Sequence, residues 1–366
     1  MIVISTQNFL PDVGGMQAYL TGLADALATR GHDIVVYCDA DGIGGSADFD
    51  ADRRYPIIRF RGPRPWRRHS KARSVSRRIG SGGVDILIAD SWKSVELLST
   101  SRLSATKVFC LAHGAELFAK YASAKERRIK SAFAKADVVA SNSHCTAKLA
   151  MRFLPAMTKS LVVLPGVIRP FGSEATWRSP PQRKQKRLLT IARLDPYKGI
   201  DIVLQAIGML RHTHPDLSYD VVGDGQDRHR LPELARELGV ADRVTFHGRT
   251  SEEKKAALMA AADVFVLPNR SEPGEIEGFG IVFVEAGAFG LPSIAGRDGG
   301  TSDAVIDGET GLIVDGEDVS SVQHALDQLL DDPSMAEKMG RAGHARFWSE
   351  FEWSQAVGRF EKALEI

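Results

Sequence analysis

Glu277 and Glu285 bracket a seven-residue run that begins Gly-Phe-Gly and then turns apolar, within EPGEIEGFGIVFVEAGAFGL (Glu272 to Leu291). A flexible glycine loop leading into a helix exposes unpaired backbone N–H groups. Together with the positive end of the helix dipole, these make an anion site. With a helix starting near Ile281, Glu285 lies one turn inside it and Glu277 sits in the loop just before. One carboxylate then reaches each end of a ligand whose phosphates lie over the helix start. A nucleotide sugar has that shape, with hydroxyls at both ends and a diphosphate between. Glu272 and Glu275 are competing acids, but only Glu277 and Glu285 have this separation and these flanks; the plain alternative is a solvated acidic loop before an ordinary helix.

Two cations stand in a matching context. Arg193 and Lys198, in ARLDPYKG, follow a predicted strand and precede a predicted helix. Fixed cations there can hold a diphosphate and balance the charge that develops as it leaves. Gly14 and Gly15, in FLPDVGGMQ, follow the first predicted strand and let backbone approach a ligand without interference from a Cβ. His113, in CLAHGAEL, ends another predicted strand beside Gly114 and near Glu116, and is placed to point into a cleft. On residue type alone, a structural histidine and a functional one fit equally.

The elements that must position these residues alternate between short β-rich runs and helical patterns, which implies parallel α/β architecture. In the first half Ile2–Ser5, Asp33–Cys38, Ile57–Phe60, Ile86–Ala89, Val108–Ala112 and Val138–Ser141 read as buried strands. Gln17–Arg30 has helical periodicity, and Gly31 ends it. Leu161–Pro170 and the Pro-rich stretch to Lys186 read as a linker. A second series follows, with strands Arg187–Ala192, Leu217–Gly223, Val244–His247, Val264–Pro268, Pro292–Ala295 and Thr310–Val314. Helices are predicted over Ile200–Arg211, Asp227–Leu238, Ser251–Ala261 and Ser320–Leu330. Two consecutive doubly wound domains place ligands at the carboxyl ends of their strands.

A chain of 366 residues suits two domains of ordinary size. Hydrophobic content of 43% and charged content of 25% are those of a soluble globular protein. No apolar run approaches the roughly 18 residues needed to span a bilayer. MIVIST lacks the basic start of a secretory signal and reads as a first strand. Cys38, Cys110 and Cys145 have no metal spacing and cannot all pair, which fits a reducing cytosol. The net charge of +1 hides an asymmetry: up to Lys159 there are about 24 Lys and Arg against about 14 Asp and Glu, and the rest of the chain is acidic. Much of the excess lies between Arg59 and Arg78, in RFRGPRPWRRHSKARSVSRR, which contains no acid but carries Trp66. That stretch is a candidate for contact with an anionic membrane surface, against the alternative of a solvated basic helix. No nucleic-acid-binding motif accompanies it, so no nucleic acid partner is expected.

Glu277 and Glu285 in Glu-x7-Glu spacing, with Gly278, Gly280 and the continuation to Gly290 and Pro292, resemble the signature of retaining GT-B glycosyltransferases of the GT4 family. The Arg-x4-Lys spacing of Arg193 and Lys198 matches the same family. The wording GEIEGFGIVFVEA is similar to that of bacterial mannosyltransferases acting on lipid or cell-surface glycans, as in lipopolysaccharide or exopolysaccharide biosynthesis. The resemblance is strong from Leu188 to Val314 and thinner before Leu161.

It implies a GT-B fold: two Rossmann-like doubly wound domains facing an interdomain cleft, with the C-terminal helix crossing back to the N-domain. The expected divisions are an acceptor-side domain over 1–165, a linker over 166–186, a nucleotide-sugar-binding domain over 187–345, and a final helix over 346–366. Phe347, Trp348, Phe351, Trp353 and Phe360 are expected to fill that last contact. Arg193 and Lys198 would bind the donor pyrophosphate, Glu285 the ribose hydroxyls and Glu277 the donor sugar. Gly278 and the N–H groups of Phe279, Gly280 and Ile281 would lie on the phosphates or sugar, with Gly14 and Gly15 near donor phosphate and acceptor. His113 would contact the transferred sugar near the reacting centre, and Glu116 would orient it or bind acceptor hydroxyls. Gly223-Asp224-Gly225, His247-Gly248-Arg249 and Gly299-Gly300-Thr301 fall at further strand ends, while Asn142, Ser143 and Thr146 would line the N-domain side or cap a helix. Asp303 departs from the family, which often has Glu near that place.

The expected activity is retaining transfer from a nucleotide diphosphate sugar, GDP-mannose first and a UDP-sugar second, to a lipid-linked or cell-surface glycan. Arg193, Lys198 and the helix start replace the metal-holding Asp-x-Asp pair, so neither metal nor other cofactor is expected. The expected location is cytoplasmic, with peripheral attachment to the inner face of the membrane through Arg59–Arg78 as an option. Competing readings are a nucleotide-sugar 2-epimerase of GT-B-like fold and an inactive nucleotide-binding module. A glycogen phosphorylase is excluded by chain length and by the lack of a pyridoxal-phosphate lysine.

Overall fold

The computed structural model describes residues 1–12, 14–40, 46–103, 105–177 and 185–366. The chain forms two compact units: Met1–Ile168 together with Trp353–Ile366, and Arg169–Glu352. The middle of the linker predicted over 166–186 lies outside the described residues.

The first unit runs β1 (Ile2–Ser5), α1 (Gly15–Thr29), β2 (Ile34–Asp39), α2 (Ser46–Ala51), β3 (Ile57–Phe60), α3 (Arg64–Gly80), β4 (Ile86–Ala89) and α4 (Trp92–Val95). It continues with β5 (Lys107–Ala112), α5 (Ala124–Phe133), β6 (Val138–Ser141), α6 (His144–Met151) and β7 (Lys159–Val162). Its sheet is parallel, in the order β3-β2-β1-β4-β5-β6-β7. β1, β2 and β4 are buried along their full length, as apolar runs covered on both faces must be. The predicted strands all fall within one residue of those observed, but β7 is not among them, and its second half falls in the stretch from Leu161 read as linker. Its Lys159 and Ser160 are exposed, so this edge strand lacks the apolar run that marks the others.

The second unit runs β8 (Arg187–Ile191), α7 (Ile200–Met209), β9 (Ser218–Val222), α8 (Arg230–Glu237), β10 (Val244–Gly248), α9 (Glu252–Ala261) and β11 (Val264–Leu267). Then come α10 (Ile281–Ala288), β12 (Ser293–Gly296), α11 (Thr301–Ala304), β13 (Gly311–Val314), α12 (Val319–Asp331) and α13 (Pro333–Arg346). Its parallel sheet has the order β10-β9-β8-β11-β12-β13. In both sheets the strand order reverses once, at β1/β4 and at β8/β11. Such switch points leave a crevice beyond the carboxyl ends of the strands, where ligands of doubly wound sheets bind. Among the described residues no helix is long and apolar enough to cross a membrane.

The last helix, α14 (Trp353–Leu364), belongs to the first unit. Trp353 stacks on Tyr19 of α1 with ring centroids 5.9 Å apart, and Phe360 lies 6.2 Å from Tyr19. The indole fits because Gly22 and Gly166 lack side chains: a Cβ would sit 1.9 Å from its Nε1 at Gly22 and 2.5 Å from its Cδ2 at Gly166. The other tail aromatics do not share this role. Phe347, Trp348 and Phe351 lie in a π-turn of the second unit, where Phe351 packs 5.7 Å from Phe279. The aromatic tail is thus divided at Glu352, and only its second half does what the sequence suggested for the whole.

The basic stretch Arg59–Arg78 is also divided. Arg59 meets Asp50 at 2.8 Å, Lys71 meets Asp39 at 2.7 Å, Arg67 meets Asp39 at 2.9 Å and Arg68 meets Glu96 at 2.8 Å. Three acids from other elements therefore pair with four of its cations, and Lys71 is buried. Trp66, 79% exposed, and Arg61, Arg64, Arg73 and Arg77 remain on the outside.

Candidate active site

At the carboxyl ends of β8 and β11 the second unit brings together the cations and acids singled out above. Arg193 and Lys198 lie in the turn after β8, and Glu277 lies in the loop between β11 and α10. The Lys198 ammonium donates to Glu277 Oε2 at 2.5 Å. Burial pushes the Lys198 ammonium down, but Glu277 and Tyr197 together push it up by more, so the net shift is upward and the side chain stays charged. Arg193 is held rather than free: Nη1 meets Asp195 at 2.9 Å and Nη2 donates to the Tyr197 hydroxyl at 3.1 Å. Its side chain is nonetheless 66% exposed, so a charged donor surface faces outward.

α10 begins at Ile281 with Gly280 as its N-cap, and Glu285 falls one turn inside, as the spacing requires. Gly280 takes φ 89°, and a Cβ there would lie 2.5 Å from the Phe283 ring. Gly278 and Phe279 complete the loop, with Phe279 buried. Behind it, Gly300 N–H donates to the Glu277 carbonyl at 2.8 Å. Gly299 comes so close to that carbonyl that a Cβ would stand 2.3 Å from it. The Gly299-Gly300 turn therefore fixes the backbone that carries Glu277. Thr301 caps the arrangement through its hydroxyl, which donates to the Gly296 carbonyl at 2.5 Å.

Glu285 has its own lysine, which sequence reasoning missed. Lys255 of α9 donates to Glu285 Oε1 at 2.9 Å, with Glu252 at 3.3 Å. Burial again pushes the ammonium down, the two carboxylates push it up, and the net shift is upward. The signal was the SEEKK opening of α9, which reads as a solvated helix start until the fold turns Lys255 inward.

In the first unit, Gly14 and Gly15 open α1 after β1, with Ala18 N–H donating to the Gly14 carbonyl at 3.0 Å. His113 follows β5. Its Nε2 lies 2.8 Å from the Asp90 carbonyl oxygen, which fixes the tautomer with the proton on Nε2 and leaves Nδ1 as an acceptor. The Tyr19 ring packs edge-on against the imidazole at 5.8 Å. Glu116 does orient this residue, but through the backbone, since its Oε1 accepts from His113 N–H at 2.7 Å.

Asp90, also missed, organises the whole turn. Its Oδ2 accepts from Gln7 N–H at 2.7 Å and from the Thr6 hydroxyl at 3.0 Å, and its Oδ1 from the Ser94 hydroxyl at 2.6 Å. Asn142 Nδ2 donates to the His113 carbonyl at 3.5 Å, while Ser143 is the N-cap of α6, accepting from Thr146 N–H at 3.0 Å.

The further strand ends have partners of their own. Gly225 packs so tightly on Leu194 that a Cβ would lie 2.6 Å from its N, and His247 pairs with Asp220 at 2.6 Å. Arg249 is exposed and 3.7 Å from Asp224. Asp303 offers its carbonyl to Arg346 at 2.9 Å.

Two doubly wound units with lysine–carboxylate pairs and a glycine-led helix start at a switch point define a GT-B glycosyltransferase, and comparison with known proteins agrees. A family model described as glycosyl transferases group 1 matches residues 173–346, and one described as Glycosyltransferase Family 4 matches residues 13–169. The GDP-mannose-dependent alpha-(1-6)-phosphatidylinositol monomannoside mannosyltransferase of Mycolicibacterium smegmatis is 31% identical, over 99% of this chain and 98% of its own. A protein of the same name from Mycobacterium tuberculosis is 32% identical over 99% of this chain and 97% of its own. Among solved structures, Anabaena Alr3699/HepE in complex with UDP superposes with a TM-score of 0.78 at 18% identity, covering 100% of this chain and 99% of that one. The chain belongs to glycosyltransferase family 4.

Proposed function

We propose that this protein moves a sugar, mannose from GDP-mannose first and a sugar from a UDP-sugar second, onto a lipid-linked or cell-surface glycan, with retention of configuration and without a metal. The observation that carries the donor half is the Lys198–Glu277 pair standing immediately before the α10 start, with Glu285 one turn further on. Relatives at about this level of identity are named GDP-mannose-dependent enzymes acting on phosphatidylinositol mannosides, which supports the donor and a lipid-linked acceptor.

In this reading the diphosphate lies across the N–H groups of Phe279, Gly280 and Ile281, facing Arg193 and Lys198. Glu285 accepts from the ribose hydroxyls and Glu277 from hydroxyls of the donor sugar. The acceptor hydroxyl attacks the anomeric carbon from the face that the diphosphate leaves. The C–O bond to phosphate breaks as the new glycosidic bond forms, and the hydroxyl proton passes to the departing phosphate oxygen. Lys198 and Arg193 balance the charge that grows there. His113 contacts the sugar as positive charge develops at its anomeric carbon, through the Nδ1 lone pair that the Asp90 contact leaves available. No protein nucleophile is needed. Peripheral attachment to the membrane through the exposed residues of Arg59–Arg78 belongs to the same proposal.

A panel of GDP- and UDP-sugars, read by diphosphate release and thermal shift, tests the reading. GDP-mannose should give the largest shift and turnover, and Glu277→Ala or Lys198→Ala should abolish most turnover while the fold survives. Near wild-type turnover in either variant refutes the assignments.

A further inference from the structure

A cavity of about 430 Å³ opens in the first unit among α3, α4 and α5, lined by Arg64, Arg68, His69, Lys93, Lys125 and Arg128 around the Trp92 ring. Five fixed cations and a histidine line it, and no acid does. Glu96, just outside, takes two of the cations: Arg68 at 2.8 Å and Arg128 at 2.5 Å. Arg64, Lys93 and Lys125 have no carboxylate partner among the described residues. The cluster repels itself. Burial pushes the Lys93 ammonium down and Arg64 pushes it further; Glu116 opposes this, Lys125 adds to it by less than Glu116 opposes, and Asp90 has the least effect, so the net shift is downward. Holding like charges together costs stability, and a bound anion would reverse that cost.

Its place in the fold gives the cavity a purpose. Trp92 and Lys93 lie two and three residues after Asp90, whose carbonyl holds His113. Trp92 Nε1 donates to the Glu116 carbonyl at 3.3 Å, and Glu116 in turn holds the His113 backbone. The cavity wall and the histidine are thus parts of one hydrogen-bonded set of loops at the carboxyl end of the sheet. Arg128 lies over the Trp92 ring at 5.2 Å.

We propose that this cavity is a phosphate site, in which Arg64, Lys93 and Lys125 take a phosphate ester carried by the sugar acceptor. Arg68 and Arg128, which share the Glu96 carboxylate, frame the opening. The role as part of the acceptor rests on the transferase reading above; the binding of a phosphate ester does not. The ester can arrive on a soluble molecule or as a lipid headgroup, and the experiment separates these.

The full chain and its Lys93→Ala/Lys125→Ala variant are titrated with glycerol 3-phosphate and with glycerol. They are also sedimented with phosphatidylcholine vesicles carrying either phosphatidylglycerol or, at equal charge, oleate. A GDP thermal shift equal to that of the wild type shows that the variant is folded. The wild type should bind the phosphate ester and not glycerol, with the variant weaker by roughly tenfold or more. Binding in the soluble arm identifies a free phosphate ester; binding confined to phosphatidylglycerol vesicles identifies a headgroup; both support the site. Equal binding by variant and wild type, no binding by the wild type, or oleate vesicles bound as well as phosphatidylglycerol overturns it. Absence of sugar transfer with phosphate binding intact sinks only the transferase reading.

Discussion

At the end of the second sheet each key carboxylate has a lysine of its own, whereas at the end of the first sheet the ring of the key histidine is held by a backbone carbonyl and an aromatic edge. Lys198 and Lys255 sit on Glu277 and Glu285 at 2.5 and 2.9 Å. His113 is fixed by the Asp90 carbonyl, the Glu116 carboxylate on its N–H and the edge of Tyr19. A diphosphate with its charged flanks calls for fixed counter-charge. A reacting sugar carbon calls for geometry, since an unpaired charge beside it would compete for the acceptor. In the proposed reaction the two units would divide the work, one supplying electrostatics and the other orientation.

The strongest way to break this comparison is to remove one member of the Lys198–Glu277 pair. Both side chains are largely buried, so either single truncation leaves a charge without its partner, at about 3 kcal/mol of stability. Turnover should fall on the order of a thousandfold, as for loss of a preorganised charge contact. A Lys198→Met/Glu277→Leu double variant should recover most of the stability and none of the turnover. If it recovers turnover, the pair is structural only. Next in size is Asp90→Ala, which removes the acceptor of the Gln7, Thr6 and Ser94 bonds without touching donor chemistry. Turnover should drop roughly a hundredfold with an unchanged GDP thermal shift. A matching loss of GDP binding would show that the division of labour is false.

What could be read from the chain follows the same line. Glu277, Glu285, Arg193 and Lys198 are legible because each pair lies within one short segment and its glycines mark the backbone around it. The buried strands are legible because parallel strands are continuous apolar runs. Lys255 and Asp90 are not legible, because their importance comes from partners 30 residues and more than 80 residues away. The same holds for Arg59–Arg78, an acid-free run in which four cations pair with Asp39, Asp50 and Glu96 from other elements. The aromatic tail misled because composition is continuous across Glu352 while packing is not.

Gly299→Ala sharpens the comparison at smaller scale. The new Cβ would press on the Glu277 carbonyl at 2.3 Å from a residue at φ 84°, costing about 1–3 kcal/mol and moving Glu277. Donor KM and turnover should both suffer, read by initial rates at varied GDP-mannose. Lys255→Ala should act more narrowly, since it loosens Glu285 alone. The expected result is a donor KM raised roughly tenfold at nearly constant turnover. A fall in turnover alone would place Lys255 and Glu285 nearer the reacting centre than the ribose.

The smallest effect is with pH, and its sign follows from the lysines. Lys198 and Lys255 both titrate above the ordinary 10.5 in the folded chain. A cation whose folded value is raised contributes stability in full below its unfolded value and loses it as pH rises through the folded one. These two pairs therefore leave the second unit's melting temperature level through neutral pH and lower it only above about 10.5. Melting curves of the wild type and of the Lys198→Met/Glu277→Leu variant across the alkaline range isolate the Lys198 share of that contribution. The gap between them should stay constant until the lysines begin to titrate and then change. A gap that changes already in the neutral range would mean that another group controls the pair, and the electrostatic half of the comparison would have to be redrawn around it.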